Sequence, residues 1–256
     1  MVDVLVLRAA GTNCDRETVF AFERAGARAR PVHINALRED PGILSRHQIL
    51  AIPGGFTYGD DIAAGAVLAL QMRTFLADAL RAFADADKLI IGICNGFQVL
   101  TRTGLLPRLD GEVKQTVTLA PNDSGRFEDR WVRLVCEADC AFARKGETLY
   151  LPVAHAEGKF TAEESVMEEL LEREQVVFRY ADAEGRPTQR YPDNPNGSLA
   201  AIAGVRDGGG RVLGLMPHPE RHIFWYHHPF WQRTTDRPNE GDGFRIFRRA
   251  VAYFEE

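Results

Sequence analysis

The stretch Lys88-Leu-Ile-Ile-Gly-Ile-Cys-Asn-Gly-Phe-Gln-Val-Leu100 decides how the chain is read. Leu89 to Ile93 is a short apolar, largely β-branched run that suits a strand covered on both faces, and Phe97 to Leu100 opens a helical pattern. Cys94 stands at the corner, with Gly92 and Gly96 two residues away on either side. A nucleophile on so tight a strand-to-helix turn is held at strained backbone angles, and its close neighbours must lack side chains; this is the G-x-nucleophile-x-G elbow. The first amides of the helix point at the thiol, and the helix dipole favours the thiolate. Cys94 is thus the candidate nucleophile, weighed against the bland reading of a lone core cysteine.

The chain has 256 residues, 45% hydrophobic and 26% charged, with a formal net charge of −5. That is ordinary globular composition, with basic and acidic residues mixed throughout and no electrostatic footprint for nucleic acid or an anionic membrane. Four cysteines, Cys14, Cys94, Cys136 and Cys140, make no C-x-x-C pair and no dense disulfide framework, which fits a reducing compartment. The start Met1-Val-Asp-Val-Leu-Val-Leu-Arg8 lacks a basic n-region and is interrupted by Asp3, so it reads as a first strand rather than a signal peptide. No run approaches a membrane span. The expectation is a cytoplasmic protein whose partners are small molecules or proteins.

Val2 to Leu7 reads as a buried strand, Arg8 to Cys14 as a loop, and Asp15 as the N-cap of a helix ending near Gly26. Further strands are expected at 28–33 and 48–52, the latter running into Pro53-Gly-Gly-Phe56, where bare amides can face a ligand. Apolar spacing from Ala63 to Ala84 predicts one amphipathic helix feeding the Leu89 strand. This alternation predicts an α/β fold, a doubly wound, mainly parallel sheet with helices on both faces and ligands at the carboxyl ends of its strands. After Pro107 short alternating strands are expected at 115–119, 130–136, 148–153, 175–180, 199–205 and 211–215, the last two joined by a hairpin at Asp207-Gly-Gly-Gly210. Helices are expected at 163–173 and 244–254. No linker or repeat appears, so 1–256 reads as one domain.

A thiolate nucleophile needs a base and a group that orients the base, and both can lie far away in sequence. Met216-Pro-His-Pro-Glu-Arg221 follows an apolar run, so His218 should emerge at a strand end with prolines setting the backbone on either side. Glu220, two residues on, can return its carboxylate to the other imidazole nitrogen, completing a Cys94, His218, Glu220 triad. The natural oxyanion donors are the amides of Gly55 and Asn95. A metal reading of His218, Glu220, His222, His227 and His228 is discounted, because Pro219 interrupts the His218/His222 spacing and no further ligand set completes a site. No metal is expected.

Pro53-Gly-Gly-Phe56, Gly92-Ile-Cys-Asn-Gly-Phe-Gln98 and Pro217-His-Pro-Glu220 resemble the class I glutamine amidotransferases, whose fold is flavodoxin-like, and the order Cys, His, Glu also fits. Gly11-Thr-Asn-Cys-Asp15, Gly54-Gly-Phe-Thr-Tyr-Gly-Asp60, Leu151-Pro-Val-Ala-His-Ala-Glu-Gly-Lys-Phe160 and Asn196-Gly-Ser-Leu-Ala-Ala-Ile-Ala-Gly204 are similar to the glutaminase subunits of phosphoribosylformylglycinamidine synthases. The resemblance implies hydrolysis of glutamine through a γ-glutamyl thioester and delivery of ammonia to a separate synthetase subunit in purine biosynthesis, a small third subunit bridging the two. It implies glutamine contacts at Gln98, Glu157 and Gly158. No cofactor is expected in this chain, which has no G-x-x-x-x-G-K-[ST] loop, and ATP with magnesium is expected on the synthetase. Asn122 to Trp131 is closer to the longer fused enzymes, Arg8-Ala-Ala-Gly11 lacks the family's usual proline, and 224–242, rich in aromatics and prolines, reads as an insertion. The alternatives are the glutaminase of another amidotransferase complex, a stand-alone Cys-His-acid hydrolase on the same sheet, and a regulatory subunit that has kept the fold.

Overall fold

The computed structural model describes residues 1–233 and 238–255. Its centre is a nine-stranded sheet. The parallel half runs β2 (Arg28–His33), β1 (Asp3–Arg8), β3 (Ile49–Ile52), β4 (Leu89–Ile93) and β11 (Val212–Leu215). It continues antiparallel through β10 (Ile202–Arg206), β9 (Val176–Ala181), β6 (Glu128–Cys136) and β7 (Thr148–His155). The all-apolar sequences of β3 and β4 are explained by their central place, since every residue of both is buried. The edge strand β2 is largely open to solvent and alternates accordingly.

The order β2-β1-β3-β4 puts the change of winding direction between β1 and β3, where an open α/β sheet leaves a crevice at its carboxyl edge. Helices cover both faces: α1 (Asp15–Arg24) packs with α7 (Phe244–Ala252), and α3 (Ala66–Phe75) with α5 (Asn95–Thr103). Phe22 meets Phe247 edge to face at 5.0 Å, the geometry that aromatic quadrupoles favour.

Several local expectations are corrected. The helix read over 63–84 is two, α3 and α4 (Ala77–Asp85), broken at Leu76, which sits at φ −127° and ψ 8°. Leu76 is buried like its neighbours in the apolar stripe, so the break leaves the periodicity intact and carries no proline or glycine to announce it. The N-cap of α1 is Cys14, and Asp15 lies inside the first turn, where it pairs with Arg8 at 2.7 Å. A short helix α2 (Ile34–Glu39) and a 3-10 turn (Pro41–Arg46) occupy a stretch the sequence left unassigned. The 115–119 strand is β5 (Val117–Ala120); it stays out of the main sheet and pairs with an unforeseen strand, β8 (Lys159–Ala162). Residues Leu199–Ala201 form a 3-10 turn, and β10 starts after them. The helix read at 163–173 is α6 (Glu164–Glu172).

The hairpin forms as expected, with Asp207 Oδ1 accepting from the amides of Arg211 and Val212 at 2.9 Å each. Of the 224–242 segment, residues 234–237 lie outside the described residues. Its described part holds short 3-10 turns and an aromatic cluster in which His222 and His228 meet the Trp131 ring at 5.0 and 5.4 Å.

α5 comes so close to the sheet that a Cβ on Gly96 would sit 1.9 Å from the carbonyl oxygen of Ile52. Gly96→Ala must push the helix off β3, at a cost of ~3 kcal/mol, the upper end of the usual overpacking range. For a chain of this size that is a fall in melting temperature of roughly 6–12 °C in thermal denaturation; unchanged melting would contradict the contact.

Candidate active site

β4 delivers Cys94 to the carboxyl edge of the sheet and α5 begins immediately after it, so the chain must reverse within one residue. Cys94 does so at φ 51° and ψ −105°, a conformation costly for any residue with a Cβ and held only because the surroundings over-determine it. The Cys94 amide donates to Leu215 O at 2.8 Å, and the parallel register of β4 with β11 pairs Ile93 with Leu215. The chain leaving β11 is thereby brought level with the elbow. It continues as Met216-Pro217-His218, and the His218 amide donates to Pro152 O of β7 at 2.8 Å.

The two predicted partners of Cys94 meet in the interior. His218 Nδ1 lies 2.6 Å from Glu220 Oε1, and both residues are almost fully buried. Because Nδ1 is taken by the carboxylate, Nε2 is the nitrogen left to exchange a proton; it is buried with no hydrogen-bond partner among the described residues. Cys94 Sγ makes a loose contact with Ala154 O at 3.7 Å. Burial is the largest single influence on His218 and pushes its pKa down, but the charge of Glu220 and the neighbouring thiols of Cys94 and Cys14 outweigh it, leaving the imidazole well above the usual histidine range.

Cys94 lies in the wall of a cleft of about 170 Å³, together with Gly55, Phe56, Asp60, Ala64, Gln98, Ala154, His155, Ala156 and Glu157. The loop bearing Gly55 is folded back antiparallel on Thr12, with Asn13 N donating to Gly54 O and Phe56 N to Gly11 O. Gly55 itself stands at φ +149°, and a Cβ there would lie 2.8 Å from both Asn13 N and Gly11 O. Neither the Gly55 amide nor the Asn95 amide donates to another group among the described residues, so both are free for a ligand.

The Asn95 side chain is used in full. Its oxygen accepts from Thr57 Oγ1 at 2.7 Å, and its nitrogen donates to Asp60 Oδ1 at 3.1 Å and Gln98 Oε1 at 3.0 Å. Burial, the main influence, raises the Asp60 pKa, with the Gly65 amide and the Asn95 side chain opposing it. Gln98 Nε2 donates to Glu157 O, and Glu157 Oε2 accepts from Ala64 N at 3.2 Å. Gln98 and Glu157 thus line the cleft, whereas Gly158 is not in its lining.

Gly158 belongs to a buried polar network that sequence reading did not assemble. Asn122 Oδ1 accepts from Gly158 N at 3.0 Å and lies 3.1 Å from His155 Nδ1, while Asn196 Nδ2 donates to Gly158 O at 2.9 Å and to Tyr180 Oη at 3.1 Å. Ser198 Oγ completes it with a 2.7 Å bond to Asn196 Oδ1. The network holds the 154–158 wall of the cleft. Its traces in the sequence are the Leu151–Phe160 and Asn196–Ser198 segments, which stood out for their resemblance alone.

The other thiols are placed differently. Cys136 and Cys140 are pushed up by burial to about 12 and about 11, so they stay protonated. Cys14, His218 and Glu220 bring three metal-ligating atoms within 4.8 Å of one another. Arg221 Nη2, however, donates to the Cys14 sulfur at 3.1 Å and the carboxylate holds His218 Nδ1, so the thiol and that ring nitrogen are already engaged. No described helix is long and apolar enough to cross a membrane.

The chain matches the CobB/CobQ-like glutamine amidotransferase domain family over residues 1–254. It is 47% identical over 256 residues to the phosphoribosylformylglycinamidine synthase subunit PurQ of Dehalococcoides mccartyi, covering 98% of this chain and 97% of that one. It is 41% identical to the subunit of that name from Archaeoglobus fulgidus, covering 100% and 98%. A solved structure titled as PurLQS from Thermotoga maritima superposes with a TM-score of 0.74 at 31% identity, covering 99% of this chain and all (100%) of its counterpart.

The buried His155 supplies a pH test. Burial first, and repulsion from His218 second, lower its pKa from 6.5 to about 3, so between those values the unfolded chain binds the extra proton. Its contribution to stability is therefore present above pH 6.5 and lost as the pH falls toward 3. In urea titrations the stability of the parent chain should drop more steeply than that of His155→Gln over this window, by ~1.4 kcal/mol per pH unit. Parallel curves would mean that His155 is already protonated in the folded protein.

Proposed function

Because the chain belongs to the CobB/CobQ-like glutamine amidotransferase family, we propose that Cys94, His218 and Glu220 carry out the glutaminase step of phosphoribosylformylglycinamidine synthase. The observation that carries this reading is the strained Cys94 in the wall of a small cleft, beside a buried His218–Glu220 pair. The enzyme is a glutamine amidotransferase subunit of an ATP-dependent ligase that makes formylglycinamidine ribonucleotide in purine biosynthesis.

The Cys94 thiolate attacks the side-chain carboxamide carbon of glutamine, and the resulting oxyanion is met by the Gly55 and Asn95 amides. His218, charged and held by Glu220, gives its proton to the departing nitrogen as the carbon–nitrogen bond breaks. Ammonia leaves and a γ-glutamyl thioester stays on Cys94. The now neutral His218 takes a proton from water, which attacks the thioester and releases glutamate with the thiol restored. The strain at Cys94 keeps the sulfur at the mouth of the elbow, so the nucleophile is positioned before substrate arrives. We assign contacts with glutamine to Gln98 and Glu157, and their place in the cleft wall supports this.

The ammonia passes to a synthetase subunit that holds ATP and magnesium, and a small further subunit bridges the two. The naming of the curated relatives as synthase subunits and the PurLQS title of the solved neighbour support this assembly. We place the protein in the cytoplasm and treat it as one amidotransferase domain with an insertion at 224–242.

Reconstituted with its synthetase, Cys94→Ala should lose glutamine-dependent synthesis by at least ~10³-fold, the scale on which removal of a covalent nucleophile acts. Synthesis from added ammonium should continue. A glutamine-like chloroketone should label Cys94 in the parent chain. Equal loss with both nitrogen sources, or a label on Cys14, would defeat the assignment.

A further inference from the structure

Cys14 is a buried thiol that this chemistry leaves unused, yet it lies against the groups that perform it. As the N-cap of α1 it is fixed by its backbone: its amide donates to Gly54 O at 3.2 Å and its carbonyl accepts from Thr18 Oγ1 at 2.7 Å. Its sulfur lies 4.0 Å from His218 Nδ1, donates to Asn13 Oδ1 at 3.2 Å, and accepts from Arg221 Nη2 at 3.1 Å. The sulfur both gives and receives a hydrogen bond, as its one donor and weak acceptor capacity allow. Gly54 makes the room, since a Cβ there would fall 2.7 Å from His218 Cε1 and 3.4 Å from the Cys14 sulfur.

Beside this contact stands an unused acceptor. Glu220 Oε1 serves His218, but Glu220 Oε2 is buried and has no partner among the described residues. Arg221 follows immediately in the chain, and its guanidinium feels both Cys14 and Glu220. A guanidinium binds a carboxylate better than a thiol, through two parallel bonds where geometry allows. Arg221 nevertheless rests on the Cys14 sulfur, and Glu220 has only the imidazole as its partner among the described residues.

We propose that Cys14 is a positioning residue: it anchors the Arg221 guanidinium and so keeps that cation off Glu220, reserving the carboxylate for His218. The proposal rests on the reading of Cys94, His218 and Glu220 as the glutaminase machinery. Without the sulfur, the guanidinium loses its acceptor and closes on Glu220 Oε2. The carboxylate then divides its charge between two cations, the imidazolium is stabilised less, and the proton needed by the departing ammonia is harder to hold. The charged and titratable groups around His218 are Glu220 and Arg221 from its own turn, Cys94 at the head of α5, Cys14 at the head of α1 and the neutral His155 of β7. Within this set, the movable cation is Arg221.

The test is a double-mutant cycle in the reconstituted complex, reading glutamine-dependent synthesis against ammonium-dependent synthesis of the same preparation. Cys14→Ala should lower kcat by ~10-fold, a modest part of what general acid–base catalysis supplies, with KM little changed. The pH-profile limb belonging to the imidazole should move to lower pH. Adding Arg221→Met to Cys14→Ala should restore much of the rate and move the limb back, because the competing cation is gone. Cys14→Ser, which keeps an acceptor, should lie between the parent and Cys14→Ala. Chloroketone labelling of Cys94 in each variant reports a folded site.

Additive losses in the double variant, or a Cys14→Ala variant with unaltered kcat and pH profile, overturn the proposal, since packing alone predicts no rescue. The Cys94→Ala arm separates the two readings. If it retains glutamine-dependent synthesis, the glutaminase assignment and this proposal fall together. If it is inactive while the double variant stays unrescued, only the role of Cys14 falls.

Discussion

The reversal of the chain at Cys94 governs its surroundings. A strand buried on both faces must end, a helix must begin at once, and the residue between them must carry a Cβ at φ 51°. Such a corner persists only if its flanks close on it without side chains of their own. A Cβ on Gly92 would lie 2.6 Å from Gly96 O, and one on Gly96 would strike β3. The cost of the corner is met by the packing of α5 against buried β3, β4 and β11, with Phe97, Val99 and Leu100 all sealed from solvent. The strained corner is thus held in place by the core itself.

The same constraint fixes the partners of Cys94. Because β11 is parallel to β4 and in register with it, the two strands end level, and the segments that leave them must emerge at the same edge of the sheet. Residues more than a hundred positions apart come together through backbone hydrogen bonding, before any side chain contributes. Prolines 217 and 219 limit how the chain can leave that edge, and the His218 amide bond to Pro152 O ties the exit to β7, the far strand of the antiparallel half. The antiparallel half therefore has a use at the site: the end of β7 carries Ala154 and His155 into the wall of the cleft.

Legibility in the sequence tracks this division between backbone and side chain. Gly92-Ile-Cys-Asn-Gly96 and Pro217-His-Pro-Glu220 are readable because glycine and proline state local backbone geometry directly. The central buried strands β3, β4 and β11 are readable because a strand covered on both faces has little choice but to be apolar. The break at Leu76 was hidden, since a buried leucine in step with its neighbours looks the same on a bent helix as on a straight one. The Asn122, His155, Asn196, Ser198 network was hidden for a different reason. Its members come from separate segments, each polar residue is ordinary alone, and only burial shows that they must satisfy one another. Gly158, carried over by likeness as a substrate contact, is one of the groups braced by that network, with a Cβ position 2.4 Å from the His155 ring.

Cys14 and Cys94 show how little of a cysteine's character resides in its position on a fold. Each comes after a parallel strand, each stands at the head of a helix, and each lies near the same imidazole. Helix dipoles and proximity to His218 therefore cannot tell them apart. The difference lies in how each sulfur's hydrogen-bonding capacity is met. Cys14 sits at ordinary backbone angles, φ −102° and ψ 16°, donates a hydrogen bond to Asn13 Oδ1 and accepts one from Arg221 Nη2, so its environment is complete without a ligand. Cys94 stands strained on a cleft wall, with one loose 3.7 Å contact to a carbonyl and a free amide on the next residue. A nucleophile must be the group whose interactions are left unfinished until the substrate arrives, because only then is binding energy still to be gained as the reaction proceeds.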